Sequence, residues 1–144
     1  MTVRVERTFE LDAPPEPVWE FISDPERRAR PISAVVDFEL TGPESAIWHL
    51  EIPVRFTDRT IAVETEDVER REGEYVRFVG TSKVMRVQGE HTIERVDGRT
   101  RVTNQFVVDG RVPGVETFFE RNLDGELDNL EAALRDALGL DSDP

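Results

Sequence analysis

Val84-Met85-Arg86-Val87-Gln88-Gly89-Glu90-His91-Thr92-Ile93-Glu94-Arg95-Val96-Asp97-Gly98-Arg99-Thr100-Arg101-Val102-Thr103-Asn104-Gln105-Phe106-Val107-Val108 is the most readable stretch of this chain of 144 residues. Apolar and polar residues alternate on either side of Asp97-Gly98. That is the period of strands with one buried face, and an Asp-Gly pair between two such runs is a strong signal for a tight hairpin turn. The turn sets the register, so placing Val87, Ile93, Val102, Phe106 and Val108 inward turns His91 and Asn104 inward too, on facing arms of one hairpin. A single β-bulge between Val84 and Val96 would reverse this and send His91 outward.

Two further antiparallel pairs precede this hairpin. Val36, Phe38 and Leu40 alternate with Asp37 and Glu39, turn at Thr41-Gly42-Pro43, and return through Ala46, Trp48, Leu50 and Ile52. Ile61 and Val63 lie in one arm of the next pair and Val76 and Phe78 in the other, joined by the charged stretch from Glu66 to Glu74 with Gly73 in its turn. Thr57-Asp58 and Gly80-Thr81-Ser82 are expected at loop tips. At the start, Val3, Val5, Phe9 and Leu11 alternate with charged or polar residues, Arg7 interrupting the apolar face. Pro14, Pro15 and Pro17 then open a short helix whose buried side is Val18, Trp19, Phe21 and Ile22. Ser23-Asp24-Pro25 stops it and begins a second, ending near Arg30.

Downstream, Val115, Phe118, Phe119, Leu123, Leu127, Leu130, Leu134, Ala137 and Leu138 recur at three- and four-residue steps. This predicts an amphipathic helix of about six turns, closed by Gly139. The fold class is therefore α+β: a curved seven-stranded antiparallel sheet with the long C-terminal helix across its concave face and two short helices after the first strand. Residues 1–138 are expected to form one domain and 139–144 a frayed tail.

Composition narrows the function. The chain carries 31 acidic and 18 basic residues, a net charge of −13, and no cysteine. Disulfides, thiolate nucleophiles and sulfur-bound zinc are excluded, and a backbone-binding nucleic-acid partner is disfavoured by the repulsive mean field. Lys83 is the only lysine. Arginine in place of lysine beside so many carboxylates suits a halophilic protein, whose acidic surface is screened in concentrated salt. The first ten residues hold charges at Arg4, Glu6, Arg7 and Glu10, so neither a signal peptide nor stable membrane insertion is expected, and a cytoplasmic location is.

Residues 9–26, Phe9-Glu10-Leu11-Asp12-Ala13-Pro14-Pro15-Glu16-Pro17-Val18-Trp19-Glu20-Phe21-Ile22-Ser23-Asp24-Pro25-Glu26, form a strand, an Ala-Pro, a Val-Trp and a helix-ending Asp-Pro. Together with Gly98-Arg99-Thr100-Arg101-Val102-Thr103 and the Gly-x-x-Pro-Gly of Gly110 to Gly114, this resembles the START-like, or SRPBCC, superfamily over essentially the whole chain. Within it the chain looks most like the polyketide cyclase/dehydrase-like and CO-dehydrogenase-subunit-G-like groups. The resemblance implies a helix-grip fold with an apolar cavity between sheet and long helix, used for lipids, quinones or polyketides. It does not specify chemistry, which must come from the lining.

The candidate ligand-binding residues are Arg7, Phe38, Trp48, Phe78, His91, Asn104, Phe106, Phe118, Phe119 and Asn122: apolar area for affinity and a few polar groups for orientation. His91 either meets a ligand, as hydrogen-bond partner or general base, or is satisfied by its neighbours. Asn104 either shares that ligand or bonds His91 itself. Arg7 either holds an anionic group at the cavity mouth or pairs with a carboxylate. Trp48 either stacks on a ligand or is core. His49 alternates with Trp48 and Leu50 and should face outward, so no histidine metal pair arises. Glu64, Glu66, Asp67 and Glu69 read as a solvated strand edge and loop. No phosphate loop, serine elbow or metal-ligand run is present, so neither metal nor cofactor is expected.

The leading function is non-covalent binding of a hydrophobic small molecule. The alternatives are a cyclase or dehydratase with His91 as base, and an assembly or interaction factor; a homodimer or protein partner stays open.

Overall fold

The computed structural model describes residues 2–52, 60–112 and 114–140. In chain order the elements are β1 (Thr2–Leu11), α1 (Pro15–Ile22), α2 (Pro25–Ala29), β2 (Val35–Gly42), β3 (Ser45–Leu50), β4 (Ile61–Arg71), β5 (Tyr75–Thr81), β6 (Met85–Val96), β7 (Arg99–Gly110) and α3 (Val115–Ala137). The seven strands make one antiparallel sheet in the order β1-β7-β6-β5-β4-β3-β2, open at both edges and curved around α3. Thr57 and Asp58 lie outside the described residues.

The β6–β7 hairpin behaves as its sequence requires. Asp97 and Gly98 both take positive φ, 50° and 81°, the backbone of a turn that matches strand twist. Pairing then runs without a shift from Val96↔Arg99 to Met85↔Gly110, so the bulge that would have turned His91 outward does not occur.

Elsewhere bulges matter. The β2–β3 register shifts between Val35 and Asp37, making Val36 the extra residue. Val36 is 50% exposed instead of inward, while Val35 packs against the core. The charged stretch after Val63 is mostly strand: β4 continues to Arg71, and only residues 72–74 turn, with Gly73 at positive φ. Gly80 and Thr81 are the end of β5 and not a loop tip, and Ser82 alone lies in the turn, its Oγ accepting from the Val84 and Met85 backbone N–H groups.

The helices follow their local signals. Pro15 occupies the first turn of α1, where a missing N–H is harmless, and Asp24 caps α2 by accepting from the Glu26 N–H at 2.9 Å. α3 follows Gly114 at φ 98° and has no side-chain cap at its N-terminus. Its buried stripe is Val115, Phe119, Leu123, Leu127, Leu130 and Leu134, plus Glu126, a carboxylate that apolar spacing does not reveal.

Burial divides into two apolar clusters. One holds Trp48, Phe78, Val87, Phe106, Phe119, Leu123 and Leu127; the other holds Phe9, Leu11, Trp19, Ile22, Val76, Ile93, Leu130 and Leu134.

Candidate functional site

The strand registers arrange the concave face in rows. One row runs Val5, Phe106, Gly89, Phe78, Asp67. The next runs Arg7, Asn104, His91, Val76. This second row lies at the boundary between the two clusters, a polar floor beside the rings of Phe78 and Phe106.

Gly89 lets the floor and its aromatic wall meet. A Cβ there would stand 2.2 Å from Cε1 of Phe78, so only glycine allows that ring to lie across β6. Phe78 then contacts three neighbours: Trp48 at a centroid distance of 5.3 Å, Phe106 edge-on at 6.0 Å, and the His91 ring at 6.2 Å and 18°. Phe106 meets His91 edge-on at 5.9 Å. Such tilted and offset pairs are favourable geometries for rings.

His91 and Asn104 are both fully buried. Asn104 Oδ1 lies 2.7 Å from His91 Nδ1, and because an amide oxygen only accepts, Nδ1 carries the ring proton. Burial, and then the charge of Arg28, pushes the imidazole down to about 3, with the Asn104 hydrogen bond opposing them. The ring is neutral at ordinary pH.

Arg28, on α2, joins the site although nothing in its local sequence marks it. Its guanidinium sits 5.4 Å from the Phe78 ring centroid and donates from Nη2 to Asp67 at 2.7 Å. Asp67 is a correction to the reading of β4 as a solvated edge: its side chain is 2% exposed and also accepts from Arg70 at 2.8 Å. Burial lowers the Arg28 pKa, and Asp67 works against that shift. The signal was present, because Asp67 continues the inward parity of Ile61, Val63 and Thr65. Three buried atoms in this region have no hydrogen-bond partner among the described residues: Arg28 Nη1, His91 Nε2 and Asn104 Nδ2.

Other candidates fall into place around this floor. Arg7 ion-pairs with Asp128, and with Asp124 at 3.4 Å, tying β1 to α3. Asn122 is exposed and donates to its own helix, at the Phe118 carbonyl, 2.7 Å away, so it does not join the floor. Phe118 is half-buried and meets Phe119 edge-on at 5.1 Å. Phe38 is half-buried on the edge strand beneath the Arg30 guanidinium, and His49 pairs with Glu39 at 3.0 Å. Trp48 is buried against Phe78.

Glu126 closes the compartment at another point. Its carboxylate accepts from the Ser33 N–H and hydroxyl, the Ala34 N–H and the Asn129 amide, at 2.8–3.1 Å. Trp48, Leu50, Phe106, Phe119, Leu123 and Glu126 help to enclose a space of about 20 Å³, enough for roughly one water. The aromatic side chains themselves fill the compartment in this form. No cluster of three or more His, Asp or Glu side chains suited to a metal occurs among the described residues, and no helix there is long and apolar enough to cross a membrane.

An antiparallel sheet curved around one long C-terminal helix, with two short helices after its first strand, defines the START-like, helix-grip class. The chain belongs to the polyketide cyclase/dehydrase and lipid transport family, whose model matches residues 2–135. Solved structures with the same fold include a START superfamily protein from Mycobacterium smegmatis (14% identity, 94% of this chain and 97% of that one, TM-score 0.73). The Zhui aromatase/cyclase from Streptomyces sp. R1128 is similar at 18% identity, over 94% and 95% of the two chains, with a TM-score of 0.68. A protein from Thermus thermophilus reaches 20% identity, over 95% and 99%, with a TM-score of 0.70. No curated protein matches the sequence.

Proposed function

We propose that this protein binds a hydrophobic small molecule, such as a lipid, quinone or polyketide-like compound, between the sheet and α3. The supporting observation is an aromatic-rich apolar cluster beside three buried polar atoms, His91 Nε2 and Asn104 Nδ2 on the sheet and Arg28 Nη1 on α2, that lack protein partners among the described residues. A buried polar group without a partner costs about 1–3 kcal/mol, and a ligand that supplies one recovers it. Phe38, Trp48, Phe78, Phe106, Phe118 and Phe119 provide the apolar walls, and His91 with Asn104 the polar end. Arg7 and Asn122 are left out, since their polar groups are engaged with α3.

Entry requires side chains to move, because the enclosed space holds only about one water. We place entry at the start of α3, where Gly114 supplies no side-chain cap and Phe118 is half-buried. Native mass spectrometry of the purified protein, followed by solvent extraction, tests the reading. A stoichiometric apolar adduct is expected; a bare mass from both the native and a heterologous host counts against it.

A cyclase or dehydratase with His91 as general base is the second reading, favoured by the free lone pair on Nε2. A base works best with a pKa near the operating pH, and that of His91 is held at about 3. Binding is therefore the stronger assignment.

A further inference from the structure

The enclosed space between the sheet and α3 selects for one kind of chemical group; this inference rests on the binding function proposed above. Its walls include Leu50 on β3, Met85 and Val87 on β6, Val108 on β7, and Leu123 and Glu126 on α3. Among the described residues, only apolar atoms face into it. Glu126 is the one ionisable side chain of that lining, and both of its oxygens are already engaged: Oε1 accepts from the Ser33 N–H and hydroxyl and from Asn129, and Oε2 from the Ala34 N–H. The strand register sets the space apart from the polar row. Val87 faces Val108 across β6 and β7, His91 faces Asn104 four residues further along the same two strands, and Gly89 with Phe106 falls between.

A water in this space would lack the two to four polar partners that hold a buried water. A ligand hydroxyl or carbonyl would be buried there without a partner, and an ammonium group would meet a carboxylate already supplied with donors. At about 20 Å³ the space is too small for a ring and matches a methyl group, which needs no partner. We infer that the ligand seats the methyl end of an alkyl chain in this space and holds its polar end apart from it. Of the compound classes named above, an alkyl-chain lipid carries such an end, and a ring system with oxygens around its edge does not.

Titration with 1-octanol and 1,8-octanediol, followed through the methyl signals of the protein by nuclear magnetic resonance, tests this. The two probes differ only at the chain end. 1-Octanol should bind at least about fivefold more tightly than the diol. It should also move the methyl signals of Leu50, Met85, Val87 and Leu123 more than those of Val76, Ile93 and Leu130 in the second cluster. Val87→Ile adds a methyl group to the space; the affinity for 1-octanol should fall about fourfold, and its advantage over the diol should shrink. Val108→Ile serves if circular dichroism shows that the first variant fails to fold, and the wild-type pair decides without either. Equal affinity for the two alcohols, or shifts confined to the second cluster, would overturn the alkyl seat while leaving the binding function intact. An undiminished advantage of 1-octanol in folded Val87→Ile would overturn it in the same way. No measurable binding of either alcohol would remove the binding function as well.

Discussion

Gly89 is where one missing carbon decides the arrangement of the site. Gly89→Ala places a methyl 2.2 Å from the Phe78 ring, and the ring must leave its position against Trp48 and His91. The expected cost is about 1–3 kcal/mol of stability, read by urea unfolding, with a changed near-ultraviolet circular dichroism from Trp48. An unchanged spectrum and midpoint would contradict it. His91 makes a pH prediction. Its folded pKa lies at about 3, below the ordinary 6.5, so the unfolded chain binds the extra proton and stability falls as pH drops through that window. At pH 5 the wild type should have lost about 2 kcal/mol through this group alone. His91→Phe should fall less steeply between pH 7 and 5, and parallel profiles would show that the imidazole is not held neutral. His91 and Asn104 could be read from sequence because Asp97-Gly98 fixes their register. Arg28 could not, since nothing local in Pro25-Glu26-Arg27-Arg28-Ala29 says which arginine turns inward; its partner Asp67 is 39 residues away.

At the scale of elements, two buried carboxylates fasten helices to the sheet and to the segment before β2. Asp67 holds α2 against β4 through Arg28. Asp67→Asn removes the counter-charge from a buried guanidinium and should destabilise by about 3–5 kcal/mol in chemical denaturation. A loss under about 1 kcal/mol would mean that Arg28 reaches solvent. Glu126 binds α3 to Ser33 and Ala34, and Glu126→Ala leaves those backbone N–H groups without an acceptor. A loss of about 2–4 kcal/mol is expected, with faster amide exchange at Ala34 than in β6. The order and types of the elements were legible because alternation and three-to-four spacing report a single apolar face directly, but the charged end of β4, from Glu66 to Arg71, was not, since it carries no such alternation. Val36 and Asp67 depart from their sequence readings for different reasons. A bulge inserts a residue that alternation cannot count, whereas Asp67 kept its parity but carries a charge that argues for solvent until the partner is known. Glu126 was hidden in the same way, since its acceptor role depends on a segment 92 residues earlier.

For the molecule as a whole, the net charge of −13 sets the response to salt. The halophilic reading predicts that dilution from molar to low salt loosens the domain and that restoring salt recovers its helix and sheet signal. Equal thermal stability in both by circular dichroism would refute it. The ion pairs described above pull the other way: Arg7 with Asp124 and Asp128, and Arg28 with Asp67, draw opposite charges together, so the repulsion comes from the carboxylates left over. The order of strands carries one more consequence. β1 sits at a sheet edge, and its only strand neighbour among the described residues is β7, about a hundred residues later in the chain. As the ribosome lengthens the polypeptide, residues 2–11 emerge before the other six strands and lack their strand partner until residues 99–110 have followed. Loop-closure entropy makes so distant a pairing slow, and an unpaired strand is an invitation to aggregate. The sheet can therefore be completed only after β7 has been made, which makes the charges Arg4, Glu6, Arg7 and Glu10 a means of keeping a waiting strand soluble.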